Sequence, residues 1–130
     1  MYNNYLHSDL TSIIIKAFYN VYNVLGYGFL EKVYERALII ELRKSGLLCY
    51  AQFPVKVYYD KIEIGYYLAD ILANHAVIIE IKAAENLCEE HEAQLTNYLK
   101  ASELEVGILL NFGKKAEFKR KVFSSEFKKS

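Results

Sequence analysis

The chain has 130 residues, of which 53% are hydrophobic and 15% aromatic, with 12 Tyr, 7 Phe, 6 Gly and 1 Pro. This supply of apolar side chains excludes an intrinsically disordered chain and a collagen-like or linker composition. The 16 basic and 16 acidic residues cancel, so the chain lacks the overall positive charge of a strong nucleic-acid binder. The length predicts one domain over residues 1–130.

Cysteine content and the N-terminal sequence bear on the cellular compartment. Two cysteines, Cys49 and Cys88, cannot form a disulfide framework or a four-ligand zinc site, and we expect both to be buried thiols in a reducing compartment. The N-terminus has no basic segment followed by an apolar core, and no apolar stretch is long enough to cross a membrane. These features predict a cytoplasmic protein that makes no membrane contact.

Charge is unevenly distributed along the chain. Residues 114–130 carry seven basic and two acidic side chains, whereas residues 1–113 carry nine basic and 14 acidic ones. The acidic body indicates a carboxylate site, and the basic tail indicates a separate segment that attracts anions. A solvated terminal strand explains the same tail equally well.

Two helices are predicted in the first third of the chain. The first begins after Ser8, and its apolar residues recur at helical spacing up to a stop at Gly26. The second opens at Gly28 and continues to about Ser45, with Gly46 as the residue after its end.

The apolar pattern then changes to alternation, which predicts strands. Pro54 fits the start of a strand or an edge strand. The predicted order is α-α-β-β-β-β-α-β-β, which indicates a mixed sheet with helices packed on it. After the second helix, strands are predicted over residues 55–59, 62–66, 67–73 and 76–83, a third helix over 89–101, and two further strands over 106–110 and 118–123. Turns are predicted at 60–61, 74–75 and 111–113.

Three charged residues, Asp70, Glu80 and Lys82, lie inside otherwise apolar strands. A charge in a buried strand is costly unless it is paired or binds a metal. Two converging carboxylates form the oxygen site that Mg²⁺ prefers, and an adjacent lysine can orient an attacking water. An ordinary buried ion pair of Lys82 with Asp70 or Glu80 explains the pattern equally well.

The loop between the two strands decides whether the carboxylates can meet. A two-residue loop at residues 74–75 would pair Asp70 with Ile79. Glu80 would then point to the opposite face from Asp70, because side chains alternate along a strand. A three-residue loop over residues 74–76 would instead pair Asp70 with Glu80. A metal site therefore requires an odd loop or a bulge, and we predict one.

These residues and three further segments together resemble a known family. Asp70 followed by Glu80-Ile81-Lys82 resembles the D-x(n)-[DE]-x-K core of the PD-(D/E)XK nuclease superfamily. The sequence GFLEKVY at residues 28–34 resembles the motif of the GxxExxY protein family, a branch of that superfamily. Two more segments resemble that branch, HEAQLTNYL at residues 91–99 and LLNFG at residues 109–113.

The resemblance covers roughly residues 8–124 and implies an α/β fold of the α+β kind, a restriction-endonuclease-like core with a mixed sheet flanked by helices. It implies that Asp70 and Glu80 ligate a divalent metal, Mg²⁺ or Mn²⁺. Lys82 would assist the water nucleophile, and Glu31 would reach the same cluster as a third carboxylate ligand. Gln94 would contact the site or the nucleic-acid backbone.

Several of these residues have a purely structural alternative. Glu31 fits a solvated helix position, and Gln94 fits a residue that forms hydrogen bonds within the fold. Tyr98, which would stack on the substrate or brace its helix, and Tyr34 both fit core positions better than ligand positions.

The leading hypothesis is a metal-dependent nuclease that hydrolyses phosphodiester bonds of DNA or RNA. Basic residues of the C-terminal segment would attract the phosphate backbone and make the affinity depend on salt. These candidates are Lys114, Lys115, Lys119, Arg120 and Lys121.

The alternative hypothesis is a catalytically silent regulatory module that keeps the nuclease fold and binds nucleic acid or protein. Such a small domain would act as a homodimer or beside a partner protein, through tyrosines such as Tyr2, Tyr5, Tyr19, Tyr22 and Tyr27. A small-molecule hydrolase that uses the same carboxylates ranks third, because the chain has no Gly-rich phosphate loop, nucleophile elbow or HExxH motif.

Overall fold

Within residues 6–128 the chain forms three α-helices, five strands and a short 3-10 helix. The computed structural model describes these residues except for the side chain of Phe127, and Tyr2 and Tyr5 lie outside the described residues. In chain order the elements are α1 (Ser8–Leu25), α2 (Glu31–Lys44), β1 (Cys49–Tyr59), β2 (Ile62–Ala73), β3 (Val77–Lys82), α3 (Glu89–Ala101), β4 (Val106–Phe112), β5 (Ala116–Val122) and the 3-10 helix (Ser125–Phe127).

The five strands form one mixed sheet in the order β1-β2-β3-β4-β5. β3 and β4 run parallel, and every other neighbouring pair is antiparallel. A parallel pair needs a long crossover connection, and α3 supplies it between β3 and β4. The mixed sheet flanked by helices that the sequence predicts is confirmed.

The sheet separates two hydrophobic cores. On one face, α1 and α2 cover Ile79 and Ile81 of β3. On the other face, Leu95 and Leu99 of α3 cover Ile78. β3 is therefore buried on both sides, which is why its sequence is almost continuously apolar. Among the described residues, no helix is both long enough and apolar enough to cross a membrane.

The predicted ends of the first two helices are largely correct. Gly26 and Gly46 follow α1 and α2 with φ of +67° and +85°, so both glycines act as stop signals as predicted. The predicted start of the second helix at Gly28 is wrong, because α2 begins at Glu31 and Gly28 has φ of +110°. A right-handed helix cannot begin on that backbone conformation.

Three strand predictions need correction. Residues 62–66 and 67–73 belong to the single strand β2, because Tyr66 and Tyr67 pair with consecutive residues of β1, and five strands replace the predicted six. Asn111 and Phe112 end β4 instead of forming a turn. Pro54 lies inside β1, and β1 is an edge strand, which is one of the two positions predicted for this proline.

The two cysteines differ in exposure. Cys49 is buried as predicted, but Cys88 is exposed, which corrects the prediction of two buried thiols. Cys88 is exposed because it lies in the loop just before the first turn of α3, where its backbone amide donates to His91 Nδ1 at 3.3 Å.

The loop between β2 and β3 has the odd length that the carboxylate hypothesis requires. Ala73 pairs with Val77, so three residues, 74–76, form the connection. The same register continues to Ile71 opposite Ile79 and then stops. Asp70 and Glu80 are the next opposed residues, and the predicted odd loop is confirmed.

The β1–β2 ribbon changes face close to Asp70. Ala69 and Ile71 are two residues apart, yet they lie in different cores. Strict alternation would place such residues on one face. Gln52, which the β1–β2 register would place opposite Asp70, has φ of +56° and is skipped in the pairing. This interruption of the β1–β2 pairing, which leaves the register unchanged, and the end of the β2–β3 ladder both fall at Asp70.

The segment that follows β3 is held by the end of β4. Asn111 is fully buried, and its side-chain amide forms two hydrogen bonds of 2.9 Å with the backbone N–H and C=O of Ala84. Gly113 lies so close that a Cβ built on it would be 1.9 Å from the Ala84 carbonyl oxygen. The LLNFG segment therefore positions the chain that follows Lys82.

Replacing Gly113 by alanine is expected to lower the free energy of unfolding by about 2–3 kcal/mol, because the backbone at Ala84 must move. Urea denaturation followed by circular dichroism measures this change. Gly65→Ala is the matched control, since no atom outside its chain neighbours lies within 4 Å of the added Cβ. Equal stability of the two variants would contradict the close approach at Gly113.

Candidate functional site

Asp70 and Glu80 meet where β2 and β3 separate. The Asp70 backbone N–H donates to Glu80 Oε2 at 2.8 Å, and the Ile81 N–H donates to Asp70 Oδ2 at 2.7 Å. Each carboxylate is thus fixed by the backbone of the opposite strand. The other oxygen of each carboxylate accepts no hydrogen bond from residues 6–128. The structure therefore places two carboxylates side by side, each with one oxygen available.

Lys82 lies two residues after Glu80 on β3 and shares its strand face. It is half-buried and forms no ion pair with any carboxylate of the described residues. Burial raises the pKa of both Asp70 and Glu80, and the charge of Lys82 is close enough to oppose that rise. The alternative of an ordinary buried ion pair at this place is not what the structure contains.

The first turn of α2 brings Glu31 to the same end of the sheet. Glu31 Oε2 accepts a hydrogen bond of 3.3 Å from the Ala83 backbone N–H, one residue after Lys82. Tyr34 holds the turn that leads into α2, because its hydroxyl donates to the Gly26 carbonyl at 2.6 Å and accepts from the Phe29 N–H at 3.2 Å.

Tyr34 is also a core residue, as one of the sequence alternatives states. It is fully buried and stacks on Phe112 with ring centroids 4.3 Å apart. A buried tyrosine that bonds both ends of a turn fixes the direction in which α2 leaves it. Tyr34 therefore acts on the site indirectly, through the position of Glu31.

Glu35 belongs to the site but is absent from the residues chosen by sequence. It is 5% exposed, and its carboxylate accepts from Gln52 Nε2 at 2.8 Å and from Lys32 Nζ at 3.3 Å. Its charge acts on Asp70. The available signal is its spacing, since residues four apart such as Glu31 and Glu35 lie on the same side of a helix.

The pKa values of Asp70 and Glu80 are both raised, chiefly because the two carboxylates are buried. Burial first, and then the charge of Asp70, raise the pKa of Glu80 from 4.5 to about 8. Burial also raises the pKa of Asp70, with the charges of Glu35 and Glu31 adding to the effect. The Ile81 N–H opposes this rise. A cluster of this kind favours a bound cation, because the cation offsets both the burial of these carboxylates and their mutual repulsion.

Helix α3 covers the site from the sheet face opposite to α2. Tyr98 is 5% exposed, and burial followed by the nearby charges of Glu80 and Asp70 raises its pKa to about 12. Gln94 lies one helical turn earlier, on the same side of α3, and is half-buried. Its side-chain amide forms no hydrogen bond within residues 6–128 and is available to a ligand.

The basic residues of the C-terminal segment do not form one surface. Lys114 and Lys115 are exposed in the turn between β4 and β5. Lys121 is paired with Glu92 of α3, and Lys119 shares that face of β5 by alternation. Arg120 points the other way and donates to the Leu6 carbonyl. Lys114 lines a small hollow with Ala83, Ala84 and Glu85, the segment that follows Lys82.

The donor set suits a hard cation. Among residues 6–128, no three His, Cys, Asp or Glu side chains are grouped closely enough to surround a metal ion. Mg²⁺ characteristically uses one or two protein carboxylates and completes its shell with water and substrate phosphate. The available oxygens of Asp70 and Glu80 fit that requirement, while Glu31 as a third ligand stays a prediction.

Comparison with known proteins gives one match. No curated protein and no solved structure matches the chain. The family model of the PD-(D/E)XK nuclease superfamily matches residues 8–121, which include every element from α1 to β4 and almost all of β5. The matched region contains Asp70, Glu80 and Lys82 in the order of that superfamily's name. The chain therefore belongs to the PD-(D/E)XK nuclease superfamily.

Proposed function

We propose that the protein is a metal-dependent nuclease that hydrolyses phosphodiester bonds of DNA or RNA, with Asp70, Glu80 and Lys82 at its centre. The observation that carries the proposal is the reciprocal fixing of Asp70 and Glu80 by backbone amides. This arrangement holds two carboxylate oxygens ready for a cation before any ligand arrives, so little reorganisation is needed on binding.

Each residue of the site would have its own role in the reaction. Asp70 and Glu80 would hold Mg²⁺ or Mn²⁺, with Glu31 as a further carboxylate. A bound divalent ion polarises a phosphoryl oxygen and lowers the pKa of a water bound to it. Lys82, which has no carboxylate partner within the described residues, would orient the attacking water and offset negative charge on the phosphate. Gln94 would hydrogen-bond the nucleic-acid backbone beside them.

We also propose that the chain belongs to the GxxExxY branch of the superfamily. Three residues of the motif each have a distinct structural role, which supports this assignment. Gly28 has φ of +110° in the turn before α2. Glu31 begins α2 and accepts a hydrogen bond from the Ala83 N–H. The Tyr34 hydroxyl donates to the Gly26 carbonyl and so holds the turn. The motif would thus deliver one carboxylate to the site.

Isothermal titration with Mg²⁺ and Mn²⁺, combined with cleavage of labelled single- and double-stranded DNA and RNA, tests the nuclease function. We expect the wild type to bind the metal and cleave at least one substrate, and an Asp70→Ala, Glu80→Ala double variant to do neither. Glu103→Gln, an exposed change in the loop before β4, is the control and should keep both activities.

The same experiment can overturn the proposal. Metal binding by the wild type without cleavage of any substrate would favour the catalytically silent module. No metal binding at all would mean that Asp70, Glu80 and Lys82 form a buried polar network without a metal. Cleavage that survives in the double variant would indicate a contaminating nuclease.

A further inference from the structure

A two-stranded arm extends from the sheet next to the candidate site. β2 pairs with β3 over residues 71–73, so residues 62–69 of β2 pair with β1 alone. Both strands of the arm carry exposed apolar side chains, including Tyr59, Ile64 and Tyr66. An isolated two-stranded ribbon is marginally stable in water. An arm of this kind is therefore expected to gain stability from a ligand.

The arm and α3 enclose an open cleft of about 840 Å³, here called the arm cleft. The side chains that matter for binding are Tyr58, Lys61 and Tyr67 on the arm and Asn97 and Lys100 on α3. Asp60 at the arm tip is the acidic member of the lining. The volume lies within the usual range of ligand pockets, which suits a few nucleotides and not a duplex.

Tyr67 provides an aromatic platform in the arm cleft. It is 51% exposed, and its ring contacts that of Tyr98 with centroids 5.4 Å apart. Its partner in the register is Val55, which belongs to the core beneath α3, so Tyr67 faces α3. Tyr66 is the next residue and points to the opposite face. An exposed ring of this kind can stack on an unpaired base.

Lysines stand on both walls of the arm cleft. Lys61 lies at the arm tip, and Lys100 lies on α3, with its Nζ 5.8 Å from the centroid of the Phe123 ring. Two lysines and one aspartate give the lining a net positive charge, whereas the chain as a whole is neutral. This local charge suits a phosphate backbone.

The arm cleft leads to the carboxylate pair. Tyr67 is three residues before Asp70 on β2, and Tyr98 joins the cleft wall to the neighbourhood of Glu80. We propose that the arm cleft binds single-stranded nucleic acid, with a base stacked on Tyr67 and phosphates on Lys61 and Lys100, in line with the Asp70–Glu80 pair. This inference rests on the proposed nuclease function and names its substrate as an unpaired strand. Duplex bases are stacked on each other and cannot offer a face to Tyr67.

Fluorescence anisotropy in EDTA, which prevents cleavage, tests the inference. The probes are a labelled oligothymidylate, an oligouridylate of the same length and a blunt DNA duplex. We expect the wild type to bind a single strand more tightly than the duplex. Tyr67→Ala should weaken single-strand binding about tenfold or more, whereas Tyr66→Ala should leave it unchanged. Tyr67→Phe should retain binding, because it keeps the ring.

The lysines give a second readout that does not depend on the Tyr67 variants. Lys61→Ala with Lys100→Ala should reduce the slope of log affinity against log salt by about 1.4, the value for two phosphate contacts on a single strand. Lys16→Ala on the exposed surface of α1 is the control and should not change the slope. Both altered lysines are exposed, so the double variant should fold normally.

The outcomes separate the two proposals. Duplex binding as tight as single-strand binding, or equal affinities of Tyr67→Ala and Tyr66→Ala, would overturn the arm-cleft inference even if the protein cleaves nucleic acid. Single-strand binding that depends on Tyr67, in a protein that cleaves nothing with Mg²⁺ or Mn²⁺, would overturn the nuclease function and leave the arm cleft as a binding site. Tighter binding of oligothymidylate or of oligouridylate supports the inference in either case.

Discussion

Replacing Glu80 by glutamine is expected to reduce nucleic-acid cleavage by about 10³-fold or more, because the loss of several kcal/mol of metal-based stabilisation has that effect on a rate. The glutamine Oε1 can still accept the hydrogen bond from the Asp70 N–H, so the separation of β2 and β3 should not change. The loss should therefore appear without unfolding. Initial cleavage rates at saturating Mg²⁺, with circular dichroism as a check on folding, measure it.

The same substitution should make the protein more stable near neutral and alkaline pH. Glu80 is buried beside Asp70, and a neutral amide avoids the cost of ionising there. A substitution that lowers activity and raises stability is typical of a charged residue that is retained for function. A Glu80→Gln variant that cleaves as fast as the wild type would contradict the role of Glu80, whatever its stability.

The stability of the metal-free protein is expected to fall as the pH rises from about 4.5 to about 8. The pKa of Glu80 is raised from 4.5 to about 8 in the folded state, so in this window the folded protein binds more protons than the unfolded chain. The stabilisation from protonated Glu80 is complete below the unfolded pKa and is lost as the pH rises through the folded one. The upper limit of this contribution is roughly 5 kcal/mol.

Urea denaturation in EDTA at closely spaced pH values across that window measures the slope. Glu80→Gln should remove most of it, and Glu103→Gln should retain it, since Glu103 is exposed in the loop before β4. Saturating Mg²⁺ should restore stability at the alkaline end, because a bound cation favours the ionised carboxylates. A flat profile for the wild type would contradict the buried, protonated state of Glu80.

Several features of the site follow from local sequence alone. Alternation along β3 places Glu80 and Lys82 on one face, and their apolar neighbours predict a central strand. The helical spacing after Cys88 predicts α3 with the bounds that the structure has, residues 89–101. The need for an odd loop between the two strands is also local, because it concerns only the parity of one connection.

Other features depend on contacts between distant segments, and no local pattern predicts them. Glu35 joins the site because Gln52, at an interruption of the β1–β2 pairing, reaches its carboxylate across the fold. The partners of the basic residues on β5 also come from distant segments, α3 for Lys121 and Leu6 for Arg120. Hydrophobic periodicity states which side of an element is buried but not which element covers it.

The sequence by itself determined the three helices, the mixed sheet and the chemical identity of the central residues Asp70, Glu80 and Lys82. The tertiary structure alone decided that the two carboxylates meet, because this requires the three-residue loop, the interruption of the β1–β2 pairing at Gln52 and the end of the β2–β3 ladder to coincide. It also decided that the β1–β2 arm and α3 enclose a cleft beside them. The physical reason is that side-chain direction is set within a strand, whereas convergence is set by register and packing between strands and helices.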